Sequence, residues 1–260
     1  MTVEGRRAER LRLKTPLARA VAEELGLDVG FEGTIESTVP RGAGLSSSAA
    51  VEVAIAGALC TAAGVRPEAL ELAEACRRAE EKASGVPCGI MDQAASVLGR
   101  AGHALLLDCG ALVYEHVPLP EELVLVVLDS GVRRRLGDGR YAERRREVEA
   151  GEPKRIRHVE SENGRVHESV DALREGDLDR LGRILLEGHR SLRDDFEVST
   201  PELDALVEGA VAAGAFGARL TGAGFGGCVL ALASPVTTEA VAAVAPGWTV
   251  TSADGLYSNA

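Results

Sequence analysis

The sequence predicts a globular protein that combines α-helices with β-strands, and three observations support this. Segments with apolar residues at every third or fourth position predict amphipathic helices. Short alternating or wholly apolar runs, bounded by glycine and proline, predict strands. In addition, 45% of the 260 residues are hydrophobic and 27% are charged, which is typical of a folded chain. A chain of this length can bury a sizeable core in one large domain or two small ones.

Charge and cysteine content restrict the possible classes of function. The net charge is −11 and basic residues are interleaved with acidic ones, so no nucleic-acid partner is expected. The sequence has no run of about 18 uncharged apolar residues, so we expect no contact with a membrane. Residues 4–14 are charged throughout and do not resemble a signal peptide. Five cysteines without a Cys-x-x-Cys pair indicate free thiols in a reducing, cytoplasmic location.

The first helix is predicted over residues 15–26. Pro16 lies near its start, apolar residues recur on one face, and Gly26 marks its end. A strand is predicted over residues 30–39, where apolar or small residues alternate with polar ones. A buried, alanine-rich helix is predicted over residues 51–63. The stretch between this strand and this helix is therefore a strand–loop–helix junction.

The junction has the sequence Pro-Arg-Gly-Ala-Gly-Leu-Ser-Ser-Ser-Ala-Ala, at residues 40–50. Glycines let the backbone approach a ligand closely and adopt positive φ angles. The unpaired N–H groups and the positive dipole end of the following helix favour an anion, most often a phosphate. Serine hydroxyls can add hydrogen bonds or coordinate magnesium. The alternative is a glycine-rich turn with a serine cap, and local composition alone leaves both interpretations open.

The next helix is predicted over residues 67–83, with an apolar stripe at three- and four-residue spacing. Glu80 falls inside that stripe. Because a carboxylate on an inward face needs a partner, Glu80 is a candidate metal ligand or a partner for a bound cation. The alternative is a side chain at the edge of the stripe that reaches water.

A loop with glycine and proline is predicted over residues 84–93, and a helix continues over residues 94–98. Asp92 lies in or near the first turn of that helix. The helix dipole there favours the ionised carboxylate. Asp92 is therefore either an acid that stabilises a helix start or a functional carboxylate.

Two apolar runs of strand length, residues 102–109 and 123–128, lie in the middle of the chain with two prolines between them. One of them is expected to lead the chain into its second half. Residues 131–168 are highly charged and include Tyr141.

Further helices are predicted over residues 169–193, with a break near Gly176. Another helix is predicted to start in the sequence Ser-Thr-Pro-Glu. Ser199 and Glu202 have the spacing of a capping box, and the proline falls in the first turn.

Three glycines near the C-terminus, Gly222, Gly224 and Gly227, match the Gly-x-Gly-x-x-Gly pattern of dinucleotide-binding loops. A strand-like run follows them rather than a helix, so that interpretation fails. We expect instead a glycine loop between two strands, packed against another backbone. A short helix over residues 235–245 and a strand over residues 248–251 complete the prediction.

Four segments, in this order, resemble the galactokinases of the GHMP kinase superfamily. They are the loop at residues 40–50, Glu80 together with residues 85–93, residues 191–204, and residues 220–228. The first and last are similar to segments shared by the whole superfamily, and the middle two to galactokinases in particular. Similarity extends from about residue 15 to residue 232.

The resemblance implies an α+β, two-part GHMP kinase fold. Residues 1–118 would form a truncated N-terminal domain that carries the ATP-binding loop on a partial mixed α/β sheet. Residues 119–260 would form a C-terminal, ferredoxin-like domain with an antiparallel sheet and helices on one face. The ligand cleft is expected between the two parts.

The resemblance also implies ATP-dependent phosphorylation of D-galactose to galactose 1-phosphate, with ATP and Mg²⁺ as cofactors. Ser48 and Glu80 are expected to coordinate the metal. Asp92 is expected beside the anomeric hydroxyl, as a catalytic base or an electrostatic orienter, with Gly89 and Tyr141 also contacting the sugar. The glycine loop at residues 222–227 is expected to pack near the phosphates. The residues expected to bind the ATP phosphates are Gly42, Ala43, Gly44, Leu45, Ser46, Ser47 and Ser48.

Two departures from the family pattern leave other functions open. The N-terminal family segment Gly-Arg-x-Asn-x-x-Gly-Glu-His-x-Asp-Tyr, which supplies an arginine near the transferred phosphate and most sugar contacts, has no match in residues 1–30. The region after Tyr141 is also shorter than is usual in the family. The alternatives are a non-catalytic nucleotide-binding, sugar-binding or regulatory relative, and a GHMP kinase for another small alcohol.

Overall fold

Helices and two antiparallel strand pairs make up the first half of the structure, a computed structural model that describes residues 7–11, 16–28, 33–40, 42–133 and 139–257. The elements are β1 (Arg7–Leu11), α1 (Pro16–Glu24), β2 (Gly33–Ser37), α2 (Ser47–Ala63), α3 (Ala69–Ser84), α4 (Met91–Leu98), β3 (His103–Asp108) and β4 (Val113–Pro118). Strand β1 pairs with β2, and β3 pairs with β4. Part of the strand predicted over residues 30–39 lies outside the described residues, and the rest forms β2.

The helices α1 to α4 pack around one apolar core. Val21, Leu59, Leu72 and Val97, one from each helix, are fully buried in it. Apolar residues on one face predicted α1 and α3, an alanine-rich run predicted α2, and a helix after the loop at residues 84–93 was predicted for α4.

Two of these helices begin earlier than expected, α2 by four residues, at Ser47, and α4 by three, at Met91. For α2 the reason is local. Gly42, Gly44 and Ser46 have left-handed backbone conformations that complete the turn, so the helix can begin with the serine and alanine residues that follow.

Strand β4 was not predicted. Its residues are mostly exposed, and it ends at Pro118, so it carries neither an apolar run nor a clear alternation. Pairing with β3 along its whole length, from Val113 opposite Asp108 to Pro118 opposite His103, establishes it as a strand. Proline is tolerated at such a strand end because no ladder hydrogen bond from its nitrogen is needed there.

The second half contains one antiparallel sheet flanked by helices. Its elements are β5 (Val124–Asp129), α5 (Arg140–Glu149), α6 (Pro153–Glu175), α7 (Leu178–Asp194), α8 (Pro201–Ala212), β6 (Gly217–Leu220), β7 (Cys228–Ala233), α9 (Thr238–Ala242) and β8 (Gly247–Val250). Among the described residues the strand order is β6-β7-β5-β8, with every pair antiparallel. With helices between β5 and β6 and between β7 and β8, this is the ferredoxin-like arrangement that the resemblance implied, and the α+β class is confirmed.

The two faces of this sheet have different partners. Successive strand residues point to opposite faces. Val126 and Leu128 of β5 are fully buried against the helices, where Leu203 of α8 also packs. Val127 lies on the other face and packs with Ala43, a residue of the glycine- and serine-rich loop. The sheet of the second half therefore supports the loop that precedes α2.

Most of α6 was not predicted, because its sequence before residue 169 is rich in charged residues. The helix starts at Pro153, after Glu152, whose side chain accepts a hydrogen bond from the Arg155 N–H. The residues that its first turns bury, Arg155 and His158, are polar, so no apolar stripe marks them. The predicted break is confirmed, because Gly176 ends α6 in the left-handed conformation.

The predicted capping box at the start of α8 is wrong. Thr200 is the N-cap, and its hydroxyl accepts a hydrogen bond from the Leu203 N–H at 3.4 Å. The Ser199 hydroxyl instead donates to Asp204 at 2.6 Å. A tertiary network around Asp204, which also contacts the buried His189 at 3.0 Å, takes Ser199 away from the cap.

The chain after β8 returns to the first half. The N–H groups of Leu256 and Tyr257 donate to the carbonyls of Ser96 and Val97, both at 3.1 Å. These bonds attach the C-terminal residues to α4. Within the described ranges, no helix has the length and apolar character that a membrane crossing requires.

Glycine is required where α7 crosses β6, and this leads to a stability prediction. A Cβ at Gly182 would lie 2.0 Å from the Phe216 carbonyl oxygen, far inside van der Waals contact. We expect Gly182→Ala to reduce the free energy of unfolding by about 2 kcal/mol or more.

The matched control is Gly164→Ala in α6, where a Cβ would meet nothing within 4 Å. That change should raise stability by about 0.5–1 kcal/mol, because alanine is the better helix former. Urea unfolding of both variants measures the difference. Equal effects of the two substitutions would contradict the close helix–strand contact.

Candidate functional site

The loop before α2 presents the start of that helix without a side-chain cap. Gly42, Gly44 and Ser46 have φ angles of 72°, 77° and 54°. Ser46 is the N-cap residue, but its side chain makes no capping hydrogen bond. Helix geometry leaves the first N–H groups of α2 without intrahelical acceptors. The serine-capped turn is therefore not what forms, and the helix start remains available to an anion.

A second glycine loop packs against the first. It joins β6 to β7 and contains Gly224 and Gly227. A Cβ at Gly227 would lie 2.9 Å from the carbonyl oxygen of Ala43, and one at Gly224 would lie 2.3 Å from that of Val198. This confirms the prediction of a glycine loop between two strands, packed against another backbone.

Two arginines that were not among the residues predicted for the site lie beside these loops. A Cβ at Gly42 would lie 3.9 Å from Cδ of Arg133. Arg133 donates two hydrogen bonds of 2.7 Å to Asp129, and this ion pair lowers the pKa of Asp129. The guanidinium of Arg140 lies 4.4 Å from the ring centre of Phe225, a residue of the second loop.

A buried amide joins two carboxylates behind the first loop. The Gln93 side chain, on α4, donates through Nε2 to Glu52 Oε2 at 3.0 Å and to Glu80 Oε2 at 2.7 Å. Glu52 lies on α2, one helical turn after Ser48, so both residues occupy the same face of that helix. Glu80, one of the two predicted metal ligands, is thereby hydrogen-bonded to the Glu52–Gln93 pair, and Ser48, the other, lies one helical turn before Glu52.

Glu52 has an unusual environment for an acidic residue. Both Glu52 and Gln93 are 0% exposed. Burial raises the pKa of Glu52 to about 7; the Gln93 hydrogen bond opposes this shift, whereas the negative charges of Glu80 and Asp92 add to it. Glu52 Oε1 and Gln93 Oε1 are buried without a hydrogen-bond partner. The electrostatic effects place Glu80 and Asp92 close to the same buried carboxyl.

Asp92 is next to Gln93, in the first turn of α4, as predicted. Its side chain is half-buried. Gly89, three residues earlier, is exposed, and a Cβ added there would meet nothing within 4 Å. The neighbouring Cys88 is not suited to act as a nucleophile, because burial raises the pKa of its thiol to about 12.

Tyr141 lies on the other half of the molecule. It is 44% exposed, in the first turn of α5, and follows Arg140, which contacts the second glycine loop. Gln93 thus holds Glu80 at the buried pair, Asp92 directly precedes Gln93 on α4, and Ser48 lies one helical turn before Glu52. That Gly89 and Tyr141 contact a sugar stays a prediction.

The donor atoms at Ser48 and Glu80 fit magnesium bound together with phosphates. One hydroxyl and one carboxylate are hard oxygen donors, and Mg²⁺ commonly takes one or two carboxylates and completes its shell with water and phosphate oxygens. Among the described residues, no group of three or more His, Cys, Asp or Glu side chains could hold a metal ion.

A separate cavity of about 380 Å³ lies between α6 and α7, and none of the predicted site residues lines it. Its walls are charged, and two of its arginines are already paired. Arg157 bonds to Asp195 at 2.7 Å, and Arg165 bonds to Glu162 at 2.7 Å. This cavity is not connected with the chemistry of the two glycine loops.

Comparison with protein families matches both halves of the chain. Residues 12–100 match the model described as "GHMP kinases N terminal domain", and residues 169–246 match "GHMP kinases C terminal". The first match includes the loop before α2, Glu80 and Asp92, and the second includes the loop between β6 and β7.

Relatives with curated names are similar over most of this chain. A galactokinase of Bos taurus is 43% identical over 78% of this chain and 59% of its own length, and one of Thermococcus kodakarensis is 39% identical over 82% and 67%. A crystal structure of Lactococcus lactis galactokinase complexed with galactose matches with a TM-score of 0.80 at 29% identity, covering 94% of this chain and 74% of the other. The chain spans 59 to 62% of the length of several curated relatives.

The raised pKa of Glu52 predicts that stability depends on pH. The protonated carboxyl is favoured in the folded state, so its contribution is complete below the unfolded pKa of about 4.5 and is lost as pH rises through about 7. Between pH 5 and pH 8 we expect the wild type to lose about 2 kcal/mol relative to Glu52→Gln, which cannot titrate. Urea unfolding of both proteins at several pH values measures this, and parallel curves would disprove the shift.

Proposed function

The chain belongs to the galactokinase family of GHMP kinases, and we propose that it transfers the terminal phosphoryl group of ATP to D-galactose, forming galactose 1-phosphate. The observation that carries this proposal is the arrangement around Gln93. That residue joins the helix of the glycine-rich loop to Glu80, and Asp92 precedes it directly. Phosphoryl transfer requires little more than a phosphate cradle, a metal ligand and an oriented acceptor hydroxyl.

The ATP phosphates would bind at the start of α2. The segment from Gly42 to Ser48 offers backbone N–H groups, serine hydroxyls and the positive end of a 17-residue helix. The second glycine loop packs on this segment through Gly227 and keeps its backbone in place. Arg133, whose side chain lies beside Gly42 and is about half exposed, could provide a cation for the phosphates.

Magnesium would be held by Ser48 and Glu80. When bound, it neutralises negative charge on the nucleotide phosphates. The contribution of the chain is the placement of two oxygen donors on different helices. Ser48 is exposed at the start of α2, and Glu80 is partly buried on α3.

Asp92 would orient the sugar. An ionised carboxylate at a helix start can accept a hydrogen bond from the anomeric hydroxyl and take its proton as the phosphoryl group transfers. The open space beside Gly89 leaves room for a ligand next to α4. Tyr141 would contact the sugar from the C-terminal half, at the edge of the second glycine loop.

Location and domain boundary complete the proposal. The five cysteines are free thiols, which suits a reducing cytoplasm. We place the division between an N-terminal and a C-terminal kinase domain at residues 118 and 119, before β5.

The direct test is ADP release that depends on both ATP and galactose. We expect Asp92→Asn to lower kcat by about 10² to 10⁴, because the variant can neither orient nor deprotonate the hydroxyl as a carboxylate does. Asp179→Asn is the matched control. It makes the same chemical change in the first turn of α7 at an exposed position, and it should leave turnover unchanged.

The outcome separates the alternatives. Turnover with another small alcohol but not with galactose would keep the kinase chemistry and change the substrate. ATP binding without ADP release from folded protein would favour a non-catalytic relative. Equal turnover by wild type and Asp92→Asn would remove Asp92 from the mechanism.

A further inference from the structure

We propose that Gln93 and Glu52 are positioning residues that hold the Glu80 carboxylate in the orientation in which it binds the metal ion. This inference rests on the proposed function, in which Glu80 coordinates Mg²⁺. Neither Gln93 nor Glu52 was identified as functional from the sequence, and neither has a role in the phosphate or sugar contacts proposed above.

The Gln93 side chain donates hydrogen bonds to acids on both sides of it. A side-chain amide nitrogen has two N–H donors. In Gln93 that nitrogen contacts one carboxylate on each side, Glu52 Oε2 at 3.0 Å and Glu80 Oε2 at 2.7 Å. One oxygen of Glu80 is therefore bound to a fully buried donor, which restricts rotation of the carboxylate about its last bond.

Glu52 fixes the direction in which the Gln93 amide points. If only one acid were present, the amide could turn and present its oxygen to the other side. With an acceptor on both sides, only the NH₂ group fits between them. Glu52 thus selects the orientation of Gln93 in which a donor reaches Glu80.

Burying Glu52 and Gln93 in the apolar core costs free energy. Glu52 and Gln93 are fully buried among apolar residues of the first core, such as Val53 and Ala94. Two buried polar groups there cost free energy that a pair of apolar side chains would not. The Oε1 atoms of both residues are moreover left without partners. Packing alone does not account for them, whereas support of a metal ligand does.

Hydrogen bonds that orient a metal ligand have a typical effect on metal affinity. Removing a residue that orients a metal ligand typically lowers metal affinity by about 10- to 100-fold. Because Gln93 follows Asp92 on the same helical turn, the same amide also relates the metal ligand to the carboxylate proposed to face the sugar.

The experiment measures binding of Mn²⁺ to the protein–ADP complex by electron paramagnetic resonance, in which free Mn²⁺ is quantified directly. We expect Gln93→Leu, which keeps most of the volume but removes the donor, to weaken Mn²⁺ binding by about 10-fold. Glu52→Gln is isosteric, but it can present an NH₂ group as well as an oxygen to Gln93 and so no longer fixes the orientation of that amide. It should weaken Mn²⁺ binding in the same direction. Glu80→Gln gives the effect of losing the metal ligand itself.

Two measurements separate positioning from a general structural role. Affinity for ADP without metal, measured by calorimetry, should be unchanged in Gln93→Leu and Glu52→Gln. Glu74→Gln, on the same helix as Glu80 but in a surface ion pair with Arg77, should leave both affinities unchanged.

The results of these measurements either support or overturn the positioning role of Gln93 and Glu52. Unchanged Mn²⁺ affinity in a folded Gln93→Leu, or an equal loss of metal-free ADP affinity, overturns the inference. If Gln93→Leu does not fold, the isosteric Glu52→Gln decides on the same criteria. Wild-type protein that binds Mn²⁺ and ADP but does not phosphorylate galactose refutes the proposed function and leaves this inference standing. Wild-type protein that binds no Mn²⁺ in the presence of ADP refutes this inference.

Discussion

The contact of one buried amide with two carboxylates is the interaction around which the candidate site is arranged. Gln93 joins Glu52 on α2 to Glu80 on α3 and itself belongs to α4. Three helices that pack through apolar side chains are thereby also aligned by polar ones. Apolar packing tolerates small shifts, but hydrogen bonds between buried groups depend on distance and direction. The relative positions of Ser48, Glu80 and Asp92 follow from this alignment.

Backbone contacts that only glycine permits provide the second constraint. Gly227 lies against Ala43, and Ala43 in turn packs on Val127 of the C-terminal sheet. The loop before α2 is therefore held from behind by its own helix and from the side by the second half of the chain. A phosphate site on that loop depends on both halves, which agrees with the presence of both kinase domain matches in one chain.

Much of this could be predicted from local sequence. Helices α1 and α3 have apolar stripes, α2 is apolar on nearly all sides, and the strand-to-strand glycine loop is recognisable because a strand, not a helix, follows it. Glu80 was suspected because it interrupts an apolar stripe. Strand β4 was missed because its residues are mostly exposed and carry no periodic signal. The first turns of α6 were missed because the residues that they bury, Arg155 and His158, are polar. Thr200 caps α8 in place of Ser199 because Asp204, which also contacts His189 of α7, competes for the serine hydroxyl.

The sequence by itself determined the types of most elements and the family, and it singled out Ser48, Glu80 and Asp92 as candidate site residues. It did so because short-range patterns and motifs are encoded in consecutive residues. Only the tertiary structure decided that Glu52 and Gln93, separated by 41 residues, meet Glu80 in the core, and that Arg133 lies beside Gly42. Glu52 is the sole charged residue of α2, so its position is unusual in the sequence, but the sequence does not show its partners. Its significance depends on which side chain the packing of three helices places opposite it.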